Sequence, residues 1–296
     1  MMWLAPLAVL GASAALIMLA AVLAPRHRVL ALVLSAVVLL ALPWLAGPIP
    51  LVRGLLALNF LSVFRVIDLV RSREASTWSA PRRIGHALSF VDTRLLRRQR
   101  PRLDLRGSFA ALAWGGLAAV ALHLAGSSPP RWAVPPLVVR LGAGLVFTYA
   151  AIEAAYAVLR VGHRVFGFKT PPLHIRPLAS LTVTELWGMR WARPVSHWLR
   201  MTCFLPLARR GHPALGMLLG FLVSASGHAY PVLVAVGPAM AAMMFAYFVV
   251  QGAVVAAEAP LGVARWPRAL RRAWTLVIMV GTSPLFVEPC LRVVLP

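Results

Sequence analysis

The sequence predicts an all-α fold: one polytopic bundle of about seven to eight membrane-crossing helices, with residues 1–296 as a single domain. Three observations carry this. Hydrophobic residues make up 60% of the 296 and charged residues 13%, against roughly 45–50% and 25% in soluble domains. The mean hydropathy is +0.79. Apolar stretches of roughly 20 residues, the length a helix needs to cross the hydrocarbon layer, recur along the chain, and charge collects between them. The same composition excludes a disordered basic tail, which would be poor in Leu, Val and Phe. Two cysteines, Cys203 and Cys290, make neither a disulfide framework nor a Cys-rich zinc site.

The first stretch, 3–23, lacks a basic leader and is followed at once by 29–47, so it reads as a retained span and not a cleaved signal. Residues 52–70 are weaker. They carry Arg53, Arg65 and Asp68 and read as a span, a re-entrant segment or an interfacial one. The remaining spans are 109–125, 137–159, 214–235, 238–257 and 273–293. Ten arginines crowd into 71–106, eight arginines and Lys169 into 160–212, and four arginines into 258–272. If 52–70 crosses, every Arg-rich loop falls on one side. The positive-inside rule makes that side cytoplasmic and puts both termini outside. Most of these arginines then serve topology and lipid headgroups, and a few are available for bidentate phosphate contact. No nucleic-acid reader module is present. Pro81, the run 97–102 and the SSPPRW turn at 127–132 read as loops.

The densest non-membrane region ends in SLTVTELWGMRWARPVSHWLR at 180–200. Ser180 or Thr182 can cap a helix, with Glu185 as capping-box partner, and Pro194 is placed to kink or end it. Trp187, Trp191 and Trp198 among Arg190, Arg193 and Arg200 predict an interfacial amphipathic helix. Two ionisable residues fall inside apolar spans, where such groups are expensive and point to function. His228 lies between Gly227 and Pro231; it is either a structural hydrogen-bonding residue or a neutral imidazole able to take a proton from a hydroxyl. Glu153 is either a structural ion-pair or hydrogen-bond partner or a catalytic carboxylate. His27, His86 and His212 read as surface residues beside basic loops, and His163 and His174 flank a basic loop without metal-ligand spacing. His197, with Trp191, is placed to line the cytoplasmic mouth of a cavity. No metal-binding or nucleotide-binding motif occurs.

The run Glu185-Leu186-Trp187-Gly188-Met189-Arg190-Trp191, opened by Ser180-Leu181, resembles a motif of the wax-synthase branch of the membrane-bound O-acyltransferases. So does Ser224-Ala225-Ser226-Gly227-His228, where that family carries its intramembrane histidine. Phe248 to Gly252, Glu258 and the closing span from Trp274 to Pro289 continue the resemblance, which covers 180–292 best and reaches upstream to Arg65–Leu69. It implies acyl transfer from acyl-CoA or a related thioester to the hydroxyl of a fatty alcohol or other lipid or small molecule, with no metal or prosthetic group. His228 would be the general base and His197 and Glu153 auxiliary candidates. Trp187, Arg190, Trp191, Arg193 and Arg200 would form the donor site. One position departs: the polar residue that follows the second Trp in the family is Ala192 here. Two other classes stay open. A transporter or lipid translocator would use Arg65, Asp68, Glu153 and His228 along a path, and a non-catalytic relative is suggested by Ala192. The bias of 29 Arg to one Lys suggests a bacterial cytoplasmic membrane.

Overall fold

A computed structural model describes residues 3–127 and 136–295. The turn expected at 127–132 lies outside the described residues apart from Ser127. The chain is all-α, and among the described residues the one exception is a two-residue antiparallel ladder pairing Arg97 with Lys169 and Arg98 with Phe168. Among the described residues seven helices are long and apolar enough to cross a membrane, or eight with a helix pair bent by 40° between Thr282 and Pro284 counted as one span. The protein is an integral membrane protein of the multi-pass helical kind. The weak stretch 52–70 falls in one of the seven, Pro50–Arg71, built from α3 (Pro50–Ala57) and α4 (Phe60–Arg71).

Two compact units form. The first comprises Met1–Leu96 and Tyr230–Ala241. In it α1 (Leu4–Leu23) packs on α2 (Arg28–Leu40), on α4 and on α5 (Ala80–Leu88). The contact is made by small side chains: Ala20, Ala21, Ala24 and Ala31 are fully buried. Small residues let apolar helices approach closely where lipid tails supply no hydrophobic drive between them. The outer faces are large and apolar, with Val29 76% exposed. Arg53 stacks on Trp44 at 5.0 Å. Arg65, only 4% exposed, bonds Asp68 at 3.2 Å and the Phe90 carbonyl at 3.2 Å. Asp92 is held by Arg94 at 2.6 Å, and Arg94 also reaches Asp68 at 3.2 Å. Arg65 and Asp68 inside Pro50–Arg71 are therefore answered in part from the loop that follows. His86 corrects the surface reading: it is 1% exposed, sits edge-on to Trp78 and bonds Thr93.

The second unit comprises Arg97–Ala229 and Ala242–Leu295. Asp104 caps α6 (Leu105–Gly126), which packs along α7 (Pro136–Val165). Gly144 of α7 lies so close to Val287 and Leu291 of the last helix that a Cβ there would stand 2.4 Å from Val287. That contact is locked by Arg140, which bonds both carboxylate oxygens of Glu288 at 2.8 and 3.1 Å. The ladder and the Gln99 and Arg102 backbone bonds to Gly167 and Arg164 put the Arg-rich segments 97–102 and 160–169 on one side.

Candidate functional site

The motif at 180–200 does not form one amphipathic helix. Thr182 caps a short turn, its hydroxyl accepting from the Glu185 N–H at 2.9 Å while Glu185 accepts from Leu181 N–H at 2.8 Å. Burial raises the Glu185 carboxyl, but that bond and Arg190 outweigh it and hold the group below the usual range. Leu186–Arg190 is wound as a π-turn, a distortion that collects at functional sites. The chain then reverses at Ala192, whose φ of 40° is left-handed. Pro194 does not end a helix; it sits in the first turn of α8 (Arg193–Leu199), where its missing N–H is no loss.

Glu258, at the end of α10 (Pro238–Glu258), fastens the motif. Its carboxylate accepts from the Val183 and Thr184 backbone at 2.8 and 2.9 Å, from the Thr184 hydroxyl at 2.6 Å and from the Trp274 indole at 3.0 Å. Gln251, fully buried, accepts from the Trp187 indole at 3.1 Å and donates to Thr282 at 2.8 Å. Ser196 donates to the Trp187 and Trp191 carbonyls. Trp187 is thereby held among Phe221, Tyr247 and Phe248.

His228 stands on α9 (Pro213–Val236). Its Nδ1–H donates to the Ser224 carbonyl one turn back at 2.8 Å. The neutral ring therefore carries its lone pair on Nε2. The ring lies 4.3 Å from Phe248 and 6.3 Å from Phe286 and is partly exposed.

Glu153 has found a partner that the sequence reading passed over. His174 donates Nδ1–H to the Glu153 carboxylate at 2.7 Å, and its side chain is 3% exposed. The Tyr149 hydroxyl acts electrostatically on Glu153. His174 stacks on Trp191 with ring centres 4.2 Å apart and on Tyr149 at 5.6 Å. Two backbone bonds set this up: Ile175 N–H to the Arg190 carbonyl at 2.8 Å and Arg193 N–H to the Leu173 carbonyl at 2.9 Å. An ionisable residue within an apolar span demands a partner, and that was the one signal pointing from Glu153 toward His174.

The other expected residues divide. Trp187 and Trp191 are brought together, 6.2 Å apart. Arg190 is engaged by Glu185 at 2.6 Å and by the Ile175 and Arg176 carbonyls. Arg193, Arg200 and His197 are exposed. No protein-family model matches the chain, and no curated protein matches it significantly.

Proposed function

We propose that the protein is a membrane O-acyltransferase of wax-synthase type, moving an acyl group from acyl-CoA or a related thioester to the hydroxyl of a lipid. The observation that carries the reading is the tautomer of His228. With Nδ1–H spent on Ser224, Nε2 is the atom free to receive a hydroxyl proton. It does so beside Phe248 and Phe286, in surroundings suited to an apolar alcohol and to exclusion of water. The alcohol oxygen attacks the thioester carbonyl carbon as its proton passes to Nε2. Collapse expels the thiolate, which takes that proton from the imidazole. Exposed Arg193 and Arg200 suit the phosphates of a water-borne donor. The Arg-for-Lys bias supports a bacterial cytoplasmic membrane as its location.

The transport reading has less behind it, because Arg65 and Asp68 are engaged by Asp92 and Arg94 and do not present free charges to a solute. The test is ester formation. Purified protein in lipid nanodiscs, given radiolabelled palmitoyl-CoA and a mixed alcohol and lipid extract, yields labelled ester. His228→Ala lowers that yield by about 100-fold or more, the contribution of a positioned acid–base group, while retaining the wild-type unfolding midpoint. Ester yield unchanged by the substitution removes the imidazole from the mechanism.

A further inference from the structure

We propose that His174, held by Glu153, is a second general base, one that activates water and makes the protein an acyl-thioester and ester hydrolase. The identity of the thioester donor rests on the function proposed above; the base itself does not.

The dyad has the parts that such a role needs. The Glu153 carboxylate fixes the ring through Nδ1 at 2.7 Å. The ring is therefore set in one tautomer, and its lone pair is on Nε2. That nitrogen is buried and has no hydrogen-bond partner among the described residues. A buried polar atom left unpaired is costly and asks for an explanation, which a bound water or hydroxyl supplies. When Nε2 takes a proton, the imidazolium faces a carboxylate already in hydrogen-bond contact, as a histidine–carboxylate base requires.

Strain marks the same place. Among the described residues the only non-glycine positions with positive φ are Arg176 and Ala192, at 45° and 40°. They lie two and one residues from His174 and Trp191, on the two strands of chain zipped together by the Ile175 and Arg193 bonds. Left-handed backbone at non-glycine residues persists where surrounding structure enforces it, and it clusters at working sites.

The segment leading into His174 also lines a cavity of about 280 Å³, whose walls include Arg160, Arg164, Lys169, Thr170, Pro172 and Asp104. The Arg164 Nε there is buried without a partner among the described residues, and Arg160 acts electrostatically on Glu153. Three cations against one carboxylate suit a phosphate-bearing thioester. Water would lose a proton to His174 Nε2 as its oxygen bonds to the thioester carbonyl carbon. The carbon–sulfur bond then breaks, and the proton passes from His174 to the thiolate, giving a carboxylic acid and a free thiol.

The experiment uses the full chain in nanodiscs with no alcohol present and two probes, p-nitrophenyl butyrate and palmitoyl-CoA. The expected result is hydrolysis of both. His174→Ala lowers it by about 100-fold or more, and Glu153→Gln lowers it by a smaller factor. His212→Gln, at an exposed histidine, keeps the wild-type rate. Added imidazole restores part of the rate to His174→Ala and none to Glu153→Gln, which a misfolded variant would not show. Wild-type hydrolysis of neither probe overturns the proposal, as does a wild-type rate in His174→Ala. The same holds for a His174→Ala loss that imidazole does not repair while Glu153→Gln remains fully active. Hydrolysis of the p-nitrophenyl ester alone, lost in His174→Ala, sustains the base and counts against acyl-CoA as the donor.

Discussion

The Arg65–Asp92 cluster of the first unit and the Glu153–His174 pair of the second handle buried charge differently. In the first, Arg65 and Arg94 stand against Asp68 and Asp92 at separations of 2.6 to 3.9 Å. Even His86 Nε2, which makes no hydrogen bond among the described residues, lies 3.8 Å from Asp68. Charge is balanced within the cluster, and the cluster ties a span to the loop after it. In the second unit, Glu153 is engaged by His174 at 2.7 Å, but the line of bonds ends at an imidazole nitrogen that has no hydrogen-bond partner among the described residues. A balanced network gives rigidity, and an unfinished one leaves a group available for chemistry. The two units should therefore respond differently to loss of a carboxylate.

The largest effect is expected in the first unit. Asp92→Ala leaves Arg65 and Arg94 short of a counter-charge in a buried setting, a change worth about 3–5 kcal/mol of stability. The unfolding midpoint in nanodiscs falls steeply, while ester formation per folded molecule is unchanged. A drop in activity without a drop in midpoint would reverse the assignment of roles between the two clusters. Burial raises the Asp92 carboxyl, but the Arg94 bonds outweigh that and hold it below the ordinary aspartate range; the same contact raises Arg94. A depressed carboxylate stabilises the fold above its unfolded value of about 3.9. That stabilisation is lost as pH falls through the lower folded value. The midpoint therefore declines on acidification from pH 4 downward, and Asp92→Asn, already without the ionised partner, shows a shallower decline.

A smaller loss is expected at Glu258, which belongs to neither cluster and fastens the 183–200 motif. Replacing it with Gln removes charge from four hydrogen bonds, and charge-assisted bonds contribute about 1.5–3 kcal/mol each. Gln can still accept with one oxygen, so the expected net loss is about 2 kcal/mol. Because the clamp holds the segment bearing Trp187 and Trp191, ester formation falls with it. The check is parallel measurement of midpoint and ester yield; a lowered midpoint with full ester yield would detach the motif from the reaction.

The spans were legible because hydropathy over 20 residues is a local property, and even Pro50–Arg71 reads as apolar despite Arg53, Arg65, Asp68 and Arg71. Their partners were not legible. Asp92 and Arg94 lie more than 20 residues beyond Asp68 in a loop whose Arg run reads as topology, and no periodicity links them. His86 looked exposed for the same reason: arginines surround it in sequence, while Trp78 and Thr93 surround it in space. Trp187 and Trp191 were found because i,i+4 spacing survives in a distorted turn. His174 was missed because it sits in a Pro-rich stretch whose shape depends on pairing with 190–193, a contact that neither segment encodes alone.

The smallest effect is the sharpest probe of that pairing. Ala192 is held at φ 40°, where an L-residue with a Cβ sits about 1–2 kcal/mol above a right-handed conformation. Glycine removes the penalty but loses about 0.5–1 kcal/mol to added freedom in the unfolded chain, so Ala192→Gly is expected to stabilise by no more than about 1.5 kcal/mol. Asn tolerates the same region, so Ala192→Asn is expected to match it and to place an amide next to Trp191, which stacks on His174. If the strain exists to present His174 and Trp191 to each other, both variants keep the dyad in place: the midpoint rises slightly and dyad-dependent hydrolysis persists. A fall in the midpoint of both would mean that the alanine methyl itself is needed at the turn. The second unit would then be as tightly packed at its open imidazole as the first is around its closed cluster, and the contrast between them would lose its basis.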